Sequence, residues 1–236
     1  MMIMKDNIDK KYIGNRKIII ELRYDAIPSI IDKKGTIVEA IEKADIINVS
    51  QWEIGNEIVL RDNEIKDDAT NIITVTFNRF SLISYTIDSI ESYYAKFKKL
   101  YDAITTVIGN PNIRRIGCRI IGTYNIKSTN YKDIITHLQE EFPAKFFLAQ
   151  YPARDFMFKL EYGNGMYQLG PLDMDDDFYE REFRGSKTIK HVGIVIDTDN
   201  YLTNDIKSIN DKELIKDIYV LSLSVEKDLY TNLANL

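Results

Sequence analysis

Apolar and polar positions alternate along residues 16–24, RKIIIELRY, and place Ile18, Ile20, Leu22 and Tyr24 on one face of a strand. Residues 36–44, TIVEAIEKA, change to helical spacing after a turn at Gly35. INVSQWEI and NEIVLRD straddle Gly55-Asn56 and read as a hairpin. Alternation returns over 71–80, NIITVTFNRF, with Thr74, Thr76 and Asn78 opposite Ile73, Val75 and Phe77. LISYTI, 82–87, is its continuation or partner. A long helix is predicted over 89–108. Asp88 and Glu91 have capping-box spacing, and Gly109 and Pro111 supply the stop. Its apolar stripe is Ile90, Tyr94, Phe97, Tyr101, Ile104 and Ile108, spaced for a core.

The pattern then begins again. Residues 112–126, NIRRIGCRIIGTYNI, alternate as a strand, and 131–142 form a short helix that Pro143 ends. Strands follow at 145–151, 155–162 and 166–170, the last two joined across Gly163-Asn164-Gly165. After an acidic loop, 190–202 reads as a strand. A closing helix runs over about 211–234, capped by Asn210 and Glu213, with Leu214, Ile218, Leu221 and Val225 inward.

The expected class is therefore α+β in a single domain over 1–236, built of two similar halves at about 16–109 and 112–236. Each half runs strand, short helix, three or four strands, long helix. Together they would form a curved, mainly antiparallel sheet with the long helices on one face. No residue-level repeat accompanies this order. The order resembles the paired half-units of the TATA-box-binding-protein-like fold, an analogy of architecture that carries no activity.

Three arginines interrupt the strand at 112–126. Parity puts Arg114, Ile116, Cys118, Ile120 and Tyr124 on one face, and Ile113, Arg115, Gly117, Arg119 and Ile121 on the other. The first face is apolar and should meet the helices. Arg115 and Arg119 then stand roughly 13 Å apart at Cα on either side of Gly117. The same sorting turns Glu21 and Arg23 away from Ile20 and Leu22, and His191, Asp197 and Asp199 away from Val192, Ile194 and Ile196. If these strands are neighbours, Glu21, Asp197 and Asp199 pair with Arg23, Arg115 and Arg119. The alternative is an anion or nucleotide lodged over Gly117 between two guanidiniums.

Composition narrows the chemistry. A net charge of −5 disfavours nucleic acid as a partner. One cysteine, Cys118, rules out an internal disulfide and a cysteine zinc cluster, and its parity makes it a buried thiol. No Walker-type, dinucleotide or nucleophile-elbow motif is present, and no cofactor is expected. His137 and His191 are the only histidines, and neither has a triad's setting. Asp197 and Asp199 share a face and could hold Mg²⁺ with a third carboxylate; DMDDD, 173–177, reads as a solvated loop, as does RGSK, 184–187. No segment has signal-peptide or membrane-spanning character, so a cytoplasmic protein with no membrane partner is expected.

Three segments resemble, in the right order, motifs of a sporadically distributed bacterial family. IIIELRY is similar to its hELR[FY] strand, RRIGCRIIGTYN to RhGhRYhN, and GIVIDTDNY to hhhDhDhY. Cys118 and Ile120-Ile121 depart from the middle pattern. The resemblance implies a fold and no reaction, and the family's patchy distribution suggests mobile-element or antiphage-defence contexts. The leading expectation is a non-catalytic module that binds a protein partner. Its alternative is an anion or nucleotide sensor on the arginine-bearing face, and the third reading is a metal-dependent phosphoesterase at Asp197 and Asp199. A homodimer covering an exposed sheet edge is a further expectation.

Overall fold

The computed structural model describes residues 8–85, 89–141, 154–203 and 211–234. Through them the chain runs β1 (Ile13–Tyr24), α1 (Lys34–Lys43), β2 (Gln51–Ile54), β3 (Ile58–Arg61), β4 (Asn71–Val75), β5 (Arg79–Ser84), α2 (Ile90–Ile108) and β6 (Ile113–Tyr124). It continues as α3 (Tyr131–Glu141), β7 (Phe158–Tyr162), β8 (Gly165–Leu172), α4 (Phe178–Glu182), β9 (Gly193–Leu202) and α5 (Asp211–Leu233). The described strands make one sheet in the order β2-β3-β4-β5-β1-β6-β9-β8-β7. Every adjacent pair is antiparallel. The molecule is thus mixed α+β with a large antiparallel sheet.

The two longest strands, β1 and β6, lie side by side at the centre, with Ile20 opposite Cys118 and Glu21 opposite Gly117. One face of this pair is apolar. Ile18, Ile20, Leu22, Ile116, Cys118 and Ile120 are all fully buried, in one cluster with Phe97 and Ile104 of α2 and Ile218 and Tyr219 of α5. Each such isoleucine contributes about 1.5–3 kcal/mol by leaving water, which fixes the register, since a one-residue slip would turn all of them outward. A smaller cluster lies on the opposite face, where Phe178, Tyr179 and Phe183 pack over Ile121, Leu172 and Val195.

Several elements differ from the sequence reading. Residues 71–80 are two strands rather than one. Thr76 and Asn78 bond each other's side chains, and Thr76 N–H donates to the Arg79 carbonyl at 2.8 Å, so the chain reverses there. Phe77 consequently lies in a turn and is exposed. Gly35 lies inside α1. The side chain of Ser89 caps α2 by accepting from Ser92 N–H at 3.0 Å, while Asp88 lies outside the described residues. The predicted strand at 145–151, Pro143 and Asn210 lie outside them too. Residues 178–182, read as part of a loop, form α4.

Both long helices turn slightly from the predicted stripes. In α2 Tyr93 is buried alongside Tyr101, with Tyr94 only partly buried. The Tyr93 hydroxyl is wedged between β1 and β5, accepting from Ile20 N–H at 3.0 Å and donating to the Leu82 carbonyl at 2.7 Å. In α5, Leu221 is exposed while Ser222 and Glu226 are buried. Ser222 Oγ meets the Cys118 and Ile218 carbonyls and accepts from Asn200. Glu226 accepts from the Arg16 guanidinium and the Tyr124 hydroxyl under the helix. A stripe read from hydrophobicity alone misses such polar core positions, because satisfied polar groups bury without large cost.

Candidate functional site

Directly opposed residues on antiparallel strands share a face, so the register sorts the side turned away from α2 and α5 into rows. One row is Arg79, Arg23 and Arg115, on β5, β1 and β6. The next is Thr74, Ser81, Glu21, Gly117 and Tyr201. A third holds Ile72, Ile83, Ile19, Arg119 and Asp199, and a fourth Lys17, Ile121 and Asp197.

The charges engage diagonally. Arg119, opposite Asp199 in register, instead forms a two-pronged pair with Asp197, at 2.9 Å from Nε and 2.7 Å from Nη2. This pairing raises the Arg119 pKa, against desolvation, so the group stays cationic. Arg115 runs along its own strand to reach Asp199, with Nη2 at 3.0 and 3.2 Å from the two carboxylate oxygens. Its Nη1 is 3.5 Å from Glu21, and its guanidinium lies 4.6 Å from the centre of the Tyr201 ring.

Gly117 opens the lane for that reach. A Cβ at Gly117 would sit 3.5 Å from the Arg115 guanidinium carbon, so the space over the glycine is occupied by Arg115 itself. Glu21 is shared three ways. Arg23 Nε donates to it at 2.6 Å, and Arg79 Nη1 lies at 3.6 Å. Exposure divides the cluster: the side chains of Arg23 and Arg79 are 49% and 44% exposed, against 19% for Arg115 and 18% for Glu21. Four guanidiniums thus meet three carboxylates, and the uncompensated charge lies at the exposed end of the arginine row.

All seven residues singled out from the sequence, Glu21, Arg23, Arg115, Gly117, Arg119, Asp197 and Asp199, stand together here. Two members were missed. Arg79 was hidden by the unrecognised turn at Thr76–Asn78, whose polar side chains were the available signal. Tyr201 shares the parity of Asp197 and Asp199 and was readable from the alternation.

Other chemistry is less well supplied. Asp197 and Asp199 are each bound to a guanidinium, and among the described residues no group of three His, Cys, Asp or Glu is placed to hold a metal ion. Burial pushes the Cys118 thiol up to about 12, which leaves it protonated at neutral pH. His191 is not in a strand; its ring lies between the Val192 carbonyl and the Thr123 hydroxyl, each 3.1 Å away, and burial lowers its pKa. His137 is half-buried on α3. No described helix is long and apolar enough to cross a membrane.

No protein-family model matches the chain, and no curated protein matches its sequence. The family resemblance therefore rests on its three motifs.

Proposed function

We propose that this protein is a non-catalytic binding module whose protein partner docks carboxylates on the Arg79–Arg23–Arg115 row. The observation that carries this reading is the register. Like charges directly opposed across neighbouring strands cost stability, and here three occur in succession: Arg115 pairs with Asp199, while Arg23 and Arg79 share Glu21 with it. A partner's carboxylates complete the pairing and gain charge-assisted hydrogen bonds from guanidinium forks already ordered by the sheet.

The strand order supports descent of the fold from a duplicated half. Outward from the β1–β6 pair it reads β5, β4, β3, β2 on one side and β9, β8, β7 on the other, so the first side carries one strand more. The module we envisage works in the cytoplasm as an accessory of a bacterial defence or mobile-element system. A free anion or nucleotide on the same face is the second reading, favoured by the same excess charge. Nucleic acid is not the partner proposed, given a net charge of −5.

Affinity capture from the native host tests it. The wild-type chain should retain a specific protein that an Arg23→Glu/Arg79→Glu variant of unchanged thermal midpoint does not. Capture by both chains alike, or by neither, overturns the docking site. Sedimentation of the purified chain decides separately whether a second copy covers a sheet edge.

A further inference from the structure

Residues 183–190, following α4, form a strap pinned at three places. Its base is closed by Tyr179 of α4, whose hydroxyl accepts from His191 N–H at 3.0 Å and donates to the His191 carbonyl at 2.7 Å. In the middle, Asp68 accepts from both the N–H and the hydroxyl of Ser186, at 2.7 and 2.8 Å. Gly185 allows that approach: its φ is +119°, and a Cβ there would collide with the Asp67 carbonyl oxygen. Between these points Asn15 of β1 exchanges a pair of hydrogen bonds with the backbone of Ile189, at 2.7 and 2.9 Å.

The Asn15 anchor is joined to His191 through one hydroxyl. Thr123 Oγ1 accepts from Asn15 N–H at 2.9 Å and from the Asn15 side-chain amide at 3.0 Å, and His191 Nε2 lies 3.1 Å from it. With both lone pairs of the hydroxyl engaged, its own hydrogen is left to donate, so Nε2 accepts. The other ring nitrogen, Nδ1, lies 3.1 Å from the Val192 carbonyl, an acceptor, so Nδ1 carries the proton. The network is complete for the neutral ring only.

A charged ring would aim a second proton at an oxygen whose valences are already filled. The ring has nowhere else to turn: a Cβ at Gly14 would collide with Nε2, and one at Gly193 would press on Cε1 at 3.0 Å. The titratable side chain facing the ring is Tyr179, edge-on with centres 6.2 Å apart. From β1 and β6 it meets Gly14 and Thr123, and the adjacent Lys190 is drawn to Glu180 at 3.8 Å. Burial lowers the His191 pKa against the Val192 bond, and no charged group contributes.

We infer that His191 is a proton-operated latch: when its ring takes up a proton, Thr123 turns from Asn15 and the strap is released from β1 at Ile189. The opening is one-ended, because the Ser186 bonds hold the Asp68 carboxylate below the usual range and burial keeps the Tyr179 hydroxyl protonated. It loosens the cover of the concavity that Ile13, Tyr85 and Phe183 help to line, and it does not depend on the protein-binding reading.

Amide hydrogen exchange on the full chain, corrected for the intrinsic pH dependence of exchange, tests it. Protection of Ile189 N–H should fall about tenfold between about pH 7.5 and 5.5, following the His191 ring titration read by NMR. Ser186 and Ile20 N–H should keep theirs. His191→Gln should hold Ile189 protected at both pH values, and Asn15→Ala should leave it unprotected at both. Ile189 protection that ignores pH in the wild-type chain overturns the inference. So does a fall shared with Ile20, which is unfolding rather than unlatching, a fall shared with Ser186, or a fall that persists in either variant.

Discussion

The two faces of the central β1–β6 pair each carry an arginine–carboxylate pair, in opposite settings. Under α5, Arg16 meets Glu226 with side-chain exposures of 7% and 1%, and the Tyr124 hydroxyl donates to the same carboxylate. On the other face, Arg119 meets Asp197 with exposures of 41% and 12%, and beyond it the arginine row keeps two guanidiniums half in water. The buried pair must be complete, because a lone charge there has no water to turn to. The open cluster can carry one charge too many, because solvent screens the surplus. The first setting serves the fold, and the second leaves capacity for a ligand.

The largest effect should follow from opening the buried pair. Glu226→Ala leaves Arg16 without this carboxylate and should cost about 3–5 kcal/mol in chemical denaturation. A loss under about 1 kcal/mol would mean that water reaches Arg16 and that the contrast between the faces is false. On the open face, Arg119→Ala removes a two-pronged but half-exposed pair and should cost about 1–2 kcal/mol. A double-mutant cycle with Asp197→Ala should return most of that cost as coupling.

A pH titration probes the part of the open face that α4 covers, where the Tyr179 ring meets His191. Burial holds the His191 pKa below its ordinary 6.5, so the unfolded chain takes up a proton more readily than the native one. This contribution to stability is complete above the ordinary value and declines as pH falls towards the lowered native value. His191→Gln should flatten the stability profile between about pH 7 and 5; an unaltered slope would locate the titration elsewhere. The smallest effect belongs to the row itself. Arg23→Ala should change stability by no more than about 0.5 kcal/mol, with gain as acceptable as loss, because it removes both an exposed pair and a like-charge neighbour.

Much of this was legible in the alternation. Parity alone placed Ile116, Cys118 and Ile120 under the helices and Arg115 and Arg119 on the other side, because a slip would bury two guanidiniums without partners. What parity could not supply was reach. That Arg115 spans four register positions to Asp199 depends on a side chain lying down over Gly117, which is a matter of packing. The Asn15–Ile189 clamp and the Asp68–Ser186 contact join residues more than a hundred positions apart, and no local pattern foretells them. Ser222 and Glu226 stayed hidden for the opposite reason: their polarity argued for the surface, while partners from other strands drew them inward.

The place of β1 in the sheet has a consequence for synthesis on the ribosome. Its first neighbour, β5, is made within about sixty residues, but its other neighbour, β6, emerges only after α2 is complete. In that interval one whole edge of β1, including the apolar run Ile18-Ile19-Ile20, stands without a pairing strand. A nascent chain halted before residue 113 would present that edge to its neighbours on the same polysome, so aggregation during translation, rather than loss of the finished fold, is the hazard this topology builds in.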